Sequence, residues 1–289
     1  MRVVKRFRVL WAILILAALC TVGWAVVELS GQANKSAADA GMISADMEMA
    51  SLDTITKPAA DTPNIDWQLE RRLRNELQTL DKNYKAVAAR SQSEIGQTGE
   101  VSAATGKNLM AAATKFRDSS EKYAVMWEKG NCITRAKLAR ETGASRMASA
   151  ELIVSGADSD KADALQAQQK KMNEARKAYI EQAMADNEIS EQDKANMKAN
   201  LLPKAQKLVQ DTSSYVSQVG GLLNDVRSQA TPSGLIGGLG GCAASSVSST
   251  EPMDPATQLL GPVTSLLSLA KGLASNAGSL LDDVTTLVN

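Results

Sequence analysis

Two segments in the second half of this chain repeat apolar residues every seven positions, and this pattern constrains the fold more than any other feature. From residue 201 to 226, and again from 259 to 287, the apolar series advances by alternating steps of four and three. A second apolar row beside each series begins at Leu202 and Leu260. Helices with so wide an apolar face pack into bundles of three or more helices. The faces predicted to pack within the bundle, or alternatively on a partner chain, comprise Leu201, Leu208, Tyr215, Leu222, Leu259, Leu266, Leu273, Leu280 and Leu287.

Both segments also contain a proline. Pro203 and Pro262 each follow a leucine pair near the start of the apolar series, and we expect each to kink its helix or to shift the start of the helix. Asp254 directly precedes Pro255, which pairs an N-cap residue with a first-turn proline. The last helix is therefore predicted to begin at this pair.

The rest of the chain also favours helices over strands. Ala, Leu, Ser, Lys, Glu and Gln dominate its 289 residues, whereas Phe and Tyr are scarce. An apolar series at steps of three and four predicts an amphipathic helix over residues 65–87. Its predicted same-face ion pairs are Glu70 with Arg74 and Asp81 with Lys85. Further helices are predicted over 109–127, over 132–154, and from an N-cap at Asp158 or Ser159 onward, so the predicted fold class is all-α, an extended bundle with coiled-coil-like faces.

The N-terminus has the pattern of a membrane anchor. Four cations precede the uncharged run Val9–Val27, which is long enough for a helix to cross the ~30 Å hydrocarbon core. Trp11 and Trp24 lie near the two ends of the run, where such rings favour the membrane interface. The positive-inside rule predicts a cytoplasmic N-terminus. We interpret the chain as a single-pass protein of a bacterial inner membrane with a periplasmic bundle. The alternative is a cleaved signal peptide, since small residues follow the run.

These patterns divide the chain into five regions. Residues 30–63 show weak periodicity and many small polar residues, which is typical of a tether. The segment after residue 229 contains the uncharged, glycine-rich stretch SGLIGGLGGCAASS, and its glycine density disfavours a water-exposed helix. The predicted regions are a cytoplasmic stub and anchor at 1–29, a tether at 30–63, a helical bundle at 64–229, a Gly/Ser-rich connection at 230–254 and a C-terminal amphipathic helix at 255–289.

The predicted topology places the three cysteines on two sides of the boundary between the membrane and the exterior. Cys20 lies in the apolar run, whereas Cys132 and Cys242 lie in loop-like stretches on the predicted outer side. Because an oxidising exterior allows disulfides to form, we predict a bond between Cys132 and Cys242. The alternative is a pair of free thiols.

Catalytic and metal-binding motifs are absent from the sequence. The chain contains no histidine, the commonest general base and metal ligand. Its 32 basic residues balance 32 acidic ones, so no net charge attracts nucleic acid. Asp158, Asp160 and Asp163 lack the glycine and distal glutamate of a calcium loop, and acidic residues are common in a first helical turn. We therefore predict no enzymatic activity, no cofactor, no metal and no nucleic-acid partner.

The sequence thus favours a role in assembly. A membrane anchor, a helical bundle and wide apolar faces are typical of a scaffold or interaction protein. We expect its partners to be the inner membrane and other envelope proteins, or copies of itself, within an assembly such as a secretion or conjugation apparatus. Two alternatives stay open: an external helical bundle that senses a ligand, and a membrane-inserting or pore-forming protein that uses the glycine-rich stretch and the last helix.

Overall fold

The computed structural model describes residues 2–57, 64–230 and 255–289, with side chains from Val27 onward. The described residues form α-helices and no strands, which confirms the all-α class. The helices are α1 Arg2–Asp53, α2 Trp67–Thr98, α3 Ala103–Lys129, α4 Ile133–Ser155, α5 Ser159–Ala185, α6 Glu191–Ala230 and α7 Pro255–Val288.

Local capping explains several helix ends. The Asp66 carboxylate accepts hydrogen bonds from the backbone N–H groups of Gln68 and Leu69, both at 3.0 Å, and so begins α2. Asp158 begins α5 in the same way by accepting from the N–H of Lys161 at 3.1 Å, as predicted. Gly99 ends α2 with a φ of 83°, a left-handed conformation that glycine adopts without strain.

The two prolines of the apolar segments lie inside continuous helices. Pro203 is an interior residue of α6 and Pro262 an interior residue of α7. Neither proline shifts a helix start, since α7 begins at Pro255, as the Asp254–Pro255 pair predicts.

Helix α1 is the central helix of the bundle. From Leu29 onward it packs against α2, α4, α5, α6 and α7. The prediction of a tether over 30–63 is therefore wrong for residues 30–57, because this stretch is largely helical and supplies core side chains. Its buried residues are mostly small, so they produce little hydrophobic periodicity while letting neighbouring helices approach closely. The fully buried ones are Ala33, Ala37, Ala38, Ala40, Ser44, Ala45, Met47, Glu48, Ser51 and Thr54.

Gly41 shows how closely α1 and α4 approach. A Cβ atom at Gly41 would lie 2.5 Å from Cγ1 of Ile153 and 3.0 Å from the backbone oxygen of Ser149. Ile153 is itself fully buried, so it has little room to move. The contact therefore requires glycine on α1.

We expect Gly41→Ala to lower the free energy of unfolding by about 1–3 kcal/mol, because the added methyl group overpacks the α1–α4 contact. Gly220→Ala is the matched control, since a Cβ atom there meets nothing within 4 Å. That variant should be more stable by about 0.5–1 kcal/mol, because alanine favours a helix interior. Urea unfolding followed by circular dichroism measures both; equal changes in the two variants would contradict the packing.

Helices α6 and α7 form an antiparallel pair whose two apolar faces point into the bundle. The end of α6 lies beside the start of α7, because Leu222 and Val226 share a cluster with Val263. The predicted face residues are buried, apart from the half-buried Leu259. In this structure the faces therefore pack within one chain. The second apolar rows lie half-buried against the same core, through Leu202, Val209, Val216, Leu267, Leu281 and Val288.

Leu29 is the first buried residue of α1 among those whose side chains are described, and it packs with the end of α6 and the start of α7. Within the described part of the chain, no helix combines the length and the apolar character needed to cross a membrane. The side chains of residues 2–26, which include Trp11 and Trp24, lie outside the described residues. The membrane anchor thus stays a prediction.

Candidate binding groove

An open groove runs along one side of the central helix. Helices α2 and α6 pack on α1 from either side and leave a strip of α1 uncovered between them. The groove consists of three adjoining cavities of about 330, 390 and 460 Å³, in order from the N-terminal to the C-terminal part of α1. Asp211 lines the first and middle cavities, and Asp53, Gln78 and Lys204 line the middle and last ones. We call this continuous surface the α2–α6 groove.

The floor of the α2–α6 groove has the seven-residue spacing of a helix-packing seam. Met42 and Met49 lie two helical turns apart, and so do Ile43 and Ala50. Leu208 of α6 adds a further apolar side chain beside them. Carboxylates follow the same spacing on α1, at Asp39, Asp46 and Asp53.

Two ion pairs lie on the α6 wall of the groove. Lys204 of α6 contacts Asp53 of α1 at 3.1 Å, and Lys207 contacts Asp211 on the same helix. The lysines project further into solvent than their partners, with side-chain exposures of 59% against 25% and 73% against 39%. On the α6 wall, the rim of the middle section therefore presents ammonium groups, while their carboxylate partners lie deeper.

On the opposite wall, Lys85 of α2 joins two carboxylates. Its ammonium group lies 2.5 Å from Oδ1 of Asp46 and 3.1 Å from Oδ2 of Asp81. Burial lowers the pKa of Lys85, but these two carboxylates outweigh burial and the net shift is upward. Lys85 is therefore a cation throughout the physiological range.

Beneath the groove lies a fully buried polar network centred on Glu48 of α1. Its Oε1 atom accepts hydrogen bonds from the hydroxyls of Ser44, Ser145 and Ser149 at 2.7–2.9 Å. Its Oε2 atom lies 2.9 Å from Nε of Arg146, which is also fully buried. Burial raises the pKa of Glu48, and Arg146 and the three serines offset part of that shift.

Arg146 of α4 is held on all sides. Its guanidinium lies 4.5 Å from the ring centroids of both Tyr84 and Phe116. Nη2 donates to Oδ1 of Asp81 at 2.7 Å and to the backbone oxygen of Ala45 at 3.1 Å. One arginine thus connects α4 to α1, α2 and α3.

Asp81 links the buried network to the groove. One of its oxygens accepts from Arg146 in the core, and the other faces Lys85 on the groove wall. Charges of alternating sign therefore run from the core to the surface through Glu48, Arg146, Asp81, Lys85 and Asp46. Glu48 is fully buried, so it does not face the groove. Its network joins α1 to α4 and, through Arg146 and Asp81, to the α2 wall.

Sequence reasoning found part of this arrangement. The predicted pairs Glu70–Arg74, at 2.8 Å, and Asp81–Lys85, at 3.1 Å, are both confirmed. It missed the pairing of Glu48 with Arg146, because the two lie 98 positions apart and no local spacing relates them. Among the described residues, no cluster of carboxylates or thiols has the geometry of a metal site.

The predicted disulfide joins Cys132 to Cys242. Cys132 lies half-buried directly before α4. Cys242 lies outside the described residues, so the disulfide stays a prediction.

Fold and groove together define an all-α protein in which five helices contact a central one and leave part of it open along the α2–α6 groove. Comparison with known protein families, with curated protein sequences and with solved structures finds no match to this chain.

Proposed function

We propose that this protein is an interaction protein of the bacterial envelope, held in the inner membrane by its N-terminal segment, whose periplasmic bundle binds another protein through the α2–α6 groove. The observation that carries this proposal is the incomplete enclosure of α1. Between Asp39 and Asp53, helices cover α1 on most sides but leave it open along the groove, where the half-buried Met42 and Met49 remain accessible.

The lining of the groove favours a protein segment as its occupant. Grooves with an apolar floor and polar walls commonly bind amphipathic helices. Methionine adapts its shape to different neighbours, so Met42 and Met49 suit a surface that packs against a partner side chain.

The continuity of α1 supports a role at the membrane. Arg2–Asp53 is one uninterrupted helix that includes both the proposed anchor and the floor of the groove. A helix without a break transmits position along its axis, so an anchor at its start would hold the groove at a defined distance from the membrane. This geometry suits a subunit of an envelope assembly such as a secretion or conjugation apparatus.

We expect a photoreactive amino acid at Gln78 to crosslink a partner protein in intact cells, because this exposed side chain lines the groove. The matched control is Asn83, which is exposed on the same helix but does not line the groove cavities. Mass spectrometry of the purified adducts identifies the crosslinked chain. Adducts at both positions in equal yield, or none at Gln78, would count against the proposed function.

Ligand sensing is a second candidate function, because the middle cavity of about 390 Å³ lies within the size range of small-molecule sites. If the protein senses a ligand, a small molecule should raise its melting temperature. The increase should be smaller in a Gln78→Trp variant, whose larger side chain fills the cavity. The pore-forming alternative depends on the glycine-rich stretch, which lies outside the described residues.

A further inference from the structure

We propose that the occupant of the α2–α6 groove is an amphipathic helix of a partner protein, with an apolar stripe of heptad spacing flanked by acidic residues. This inference rests on the proposed function and adds the chemistry of the partner. It is drawn from the spacing of the floor, the length of the groove and the unequal exposure of the charges on its rim.

The floor determines the shape of the occupant. Residues 39–53 of α1 span about 21 Å, which matches a partner helix of four turns, or two heptads. Met42 and Met49 recur at the heptad spacing, so the side chains of an antiparallel or parallel helix can insert between them at the same spacing. The side chains of a helix therefore match the spacing of the floor residues. Those of an extended peptide alternate every two residues and do not match this spacing.

The rim determines the charge of the occupant. Lys204 and Lys207 stand on the α6 wall, and the exposed Lys82 stands on the α2 wall. Lys85 adds less to this rim, because its side chain is less exposed than that of its partner Asp46, 32% against 48%. For the two α6 pairs, the lysine is more exposed than its carboxylate partner by roughly a factor of two. A helix lying between the walls would meet ammonium groups on both flanks. Acidic flanking residues complement this rim, and basic ones are repelled by it.

The acidic residues of the partner helix are not expected to extend to the cavity beside Asp39. Towards the N-terminal part of α1, Asp39 and Asp211 line the wall, and no lysine lines that cavity. The Asp39 carboxylate accepts a hydrogen bond from Gln92 at 2.7 Å, so its charge is directed into the wall. The partner helix should therefore be acidic along one heptad and neutral along the next.

The test uses designed peptides as probes, with the full-length protein in detergent. Two fluorescent 21-residue peptides share leucines at the two apolar heptad positions, and they carry either glutamate or lysine at the flanking positions. A third peptide has the glutamate composition in scrambled order. We expect the glutamate peptide to bind about tenfold more tightly than the lysine peptide, by fluorescence anisotropy, and more tightly than the scrambled one.

Charge reversal on the rim provides the matched comparison. The double variant Lys204→Glu, Lys207→Glu should reverse the preference of the protein between the glutamate and lysine peptides. Lys107→Glu, Lys122→Glu reverses two exposed lysines of α3, away from the groove, and should leave the preference unchanged. Both variants should fold, because exposed ion pairs contribute little to stability. Equal binding of both peptides, or a preference that survives rim reversal, overturns the inference.

The crosslinking experiment at Gln78 separates the two proposals. Crosslinks in cells that persist unchanged in the Lys204→Glu, Lys207→Glu variant would leave the proposed function standing and would overturn the acidic partner helix. Crosslinks that disappear in this variant and remain in the α3 control variant would support both. A Gln78 crosslink that joins two copies of this chain would overturn the inference, because the occupant would then be the protein itself.

Discussion

Replacing Arg146 by methionine is expected to lower the free energy of unfolding by about 3–5 kcal/mol, which is the usual effect of removing one partner from a buried ion pair. Methionine has a similar length and leaves little cavity, so the decrease in unfolding free energy comes mainly from removing the positive charge. The substitution would leave the fully buried Glu48 without its cation and Asp81 without its core partner.

Arg140→Met is the matched control for this prediction. Arg140 lies on the same helix and pairs with Glu121 and Glu128, but its side chain is 36% exposed. We expect the unfolding free energy of that variant to fall by at most about 1 kcal/mol, because water screens exposed ion pairs. Urea unfolding of the full-length protein in detergent, followed by circular dichroism, compares the two. A similar small loss in both variants would show that the buried network contributes nothing special to stability.

The instability of the Arg146→Met variant should also depend on pH. Burial raises the pKa of Glu48, and removing Arg146 removes the largest opposing contribution. A carboxyl group whose pKa is higher in the folded state than in the unfolded state binds its proton more readily when folded. Its stabilising effect is full below the unfolded pKa, about 4.5, and is lost as the pH rises through the folded pKa. The deficit of the variant should therefore be smaller at pH 5 than at pH 8.

The second large effect is expected at Ala40, in the stretch that sequence patterning assigned to a tether. Ala40 is fully buried in the main core cluster. Ala40→Asp would place an unpaired carboxylate there, and we expect a loss of about 3–5 kcal/mol or a failure to fold. If this stretch were only a tether, the same substitution would leave the unfolding free energy unchanged.

Gln32→Asp is the control on the same helix, since Gln32 is exposed. We expect its unfolding free energy to change by no more than about 0.5 kcal/mol. Thermal unfolding and limited proteolysis of both variants distinguish the two roles of residues 30–57. Equal behaviour of the two variants would contradict the central position of α1.

Amphipathic pattern and local capping account for what could be predicted of the fold. The helix that contains Glu70 and Arg74, the N-cap at Asp158 and the start of α7 at Pro255 depend on residues within a few positions of one another. The buried faces of α6 and α7 follow from the wide apolar rows, which must leave water wherever they pack.

The candidate groove and its supporting network could not be predicted in the same way. The alanines and serines of α1 carry too little hydrophobic contrast to mark a buried helix, although they are what allows α4 to pack so closely at Gly41. Nothing local relates Glu48 to Arg146, since their pairing arises only when α1 and α4 come together.

The sequence by itself thus determined the all-α class, the presence of helices α2 to α7, the starts of α4, α5 and α7 and the inward faces of the last two helices, because these depend on local periodicity and capping. Only the tertiary structure decided that α1 is the centre of the bundle, that Arg146 is enclosed between Tyr84 and Phe116, and that α1 stays open between α2 and α6. The physical reason is that burial of small and charged side chains is a property of the neighbours that surround them, and those neighbours come from distant parts of the chain.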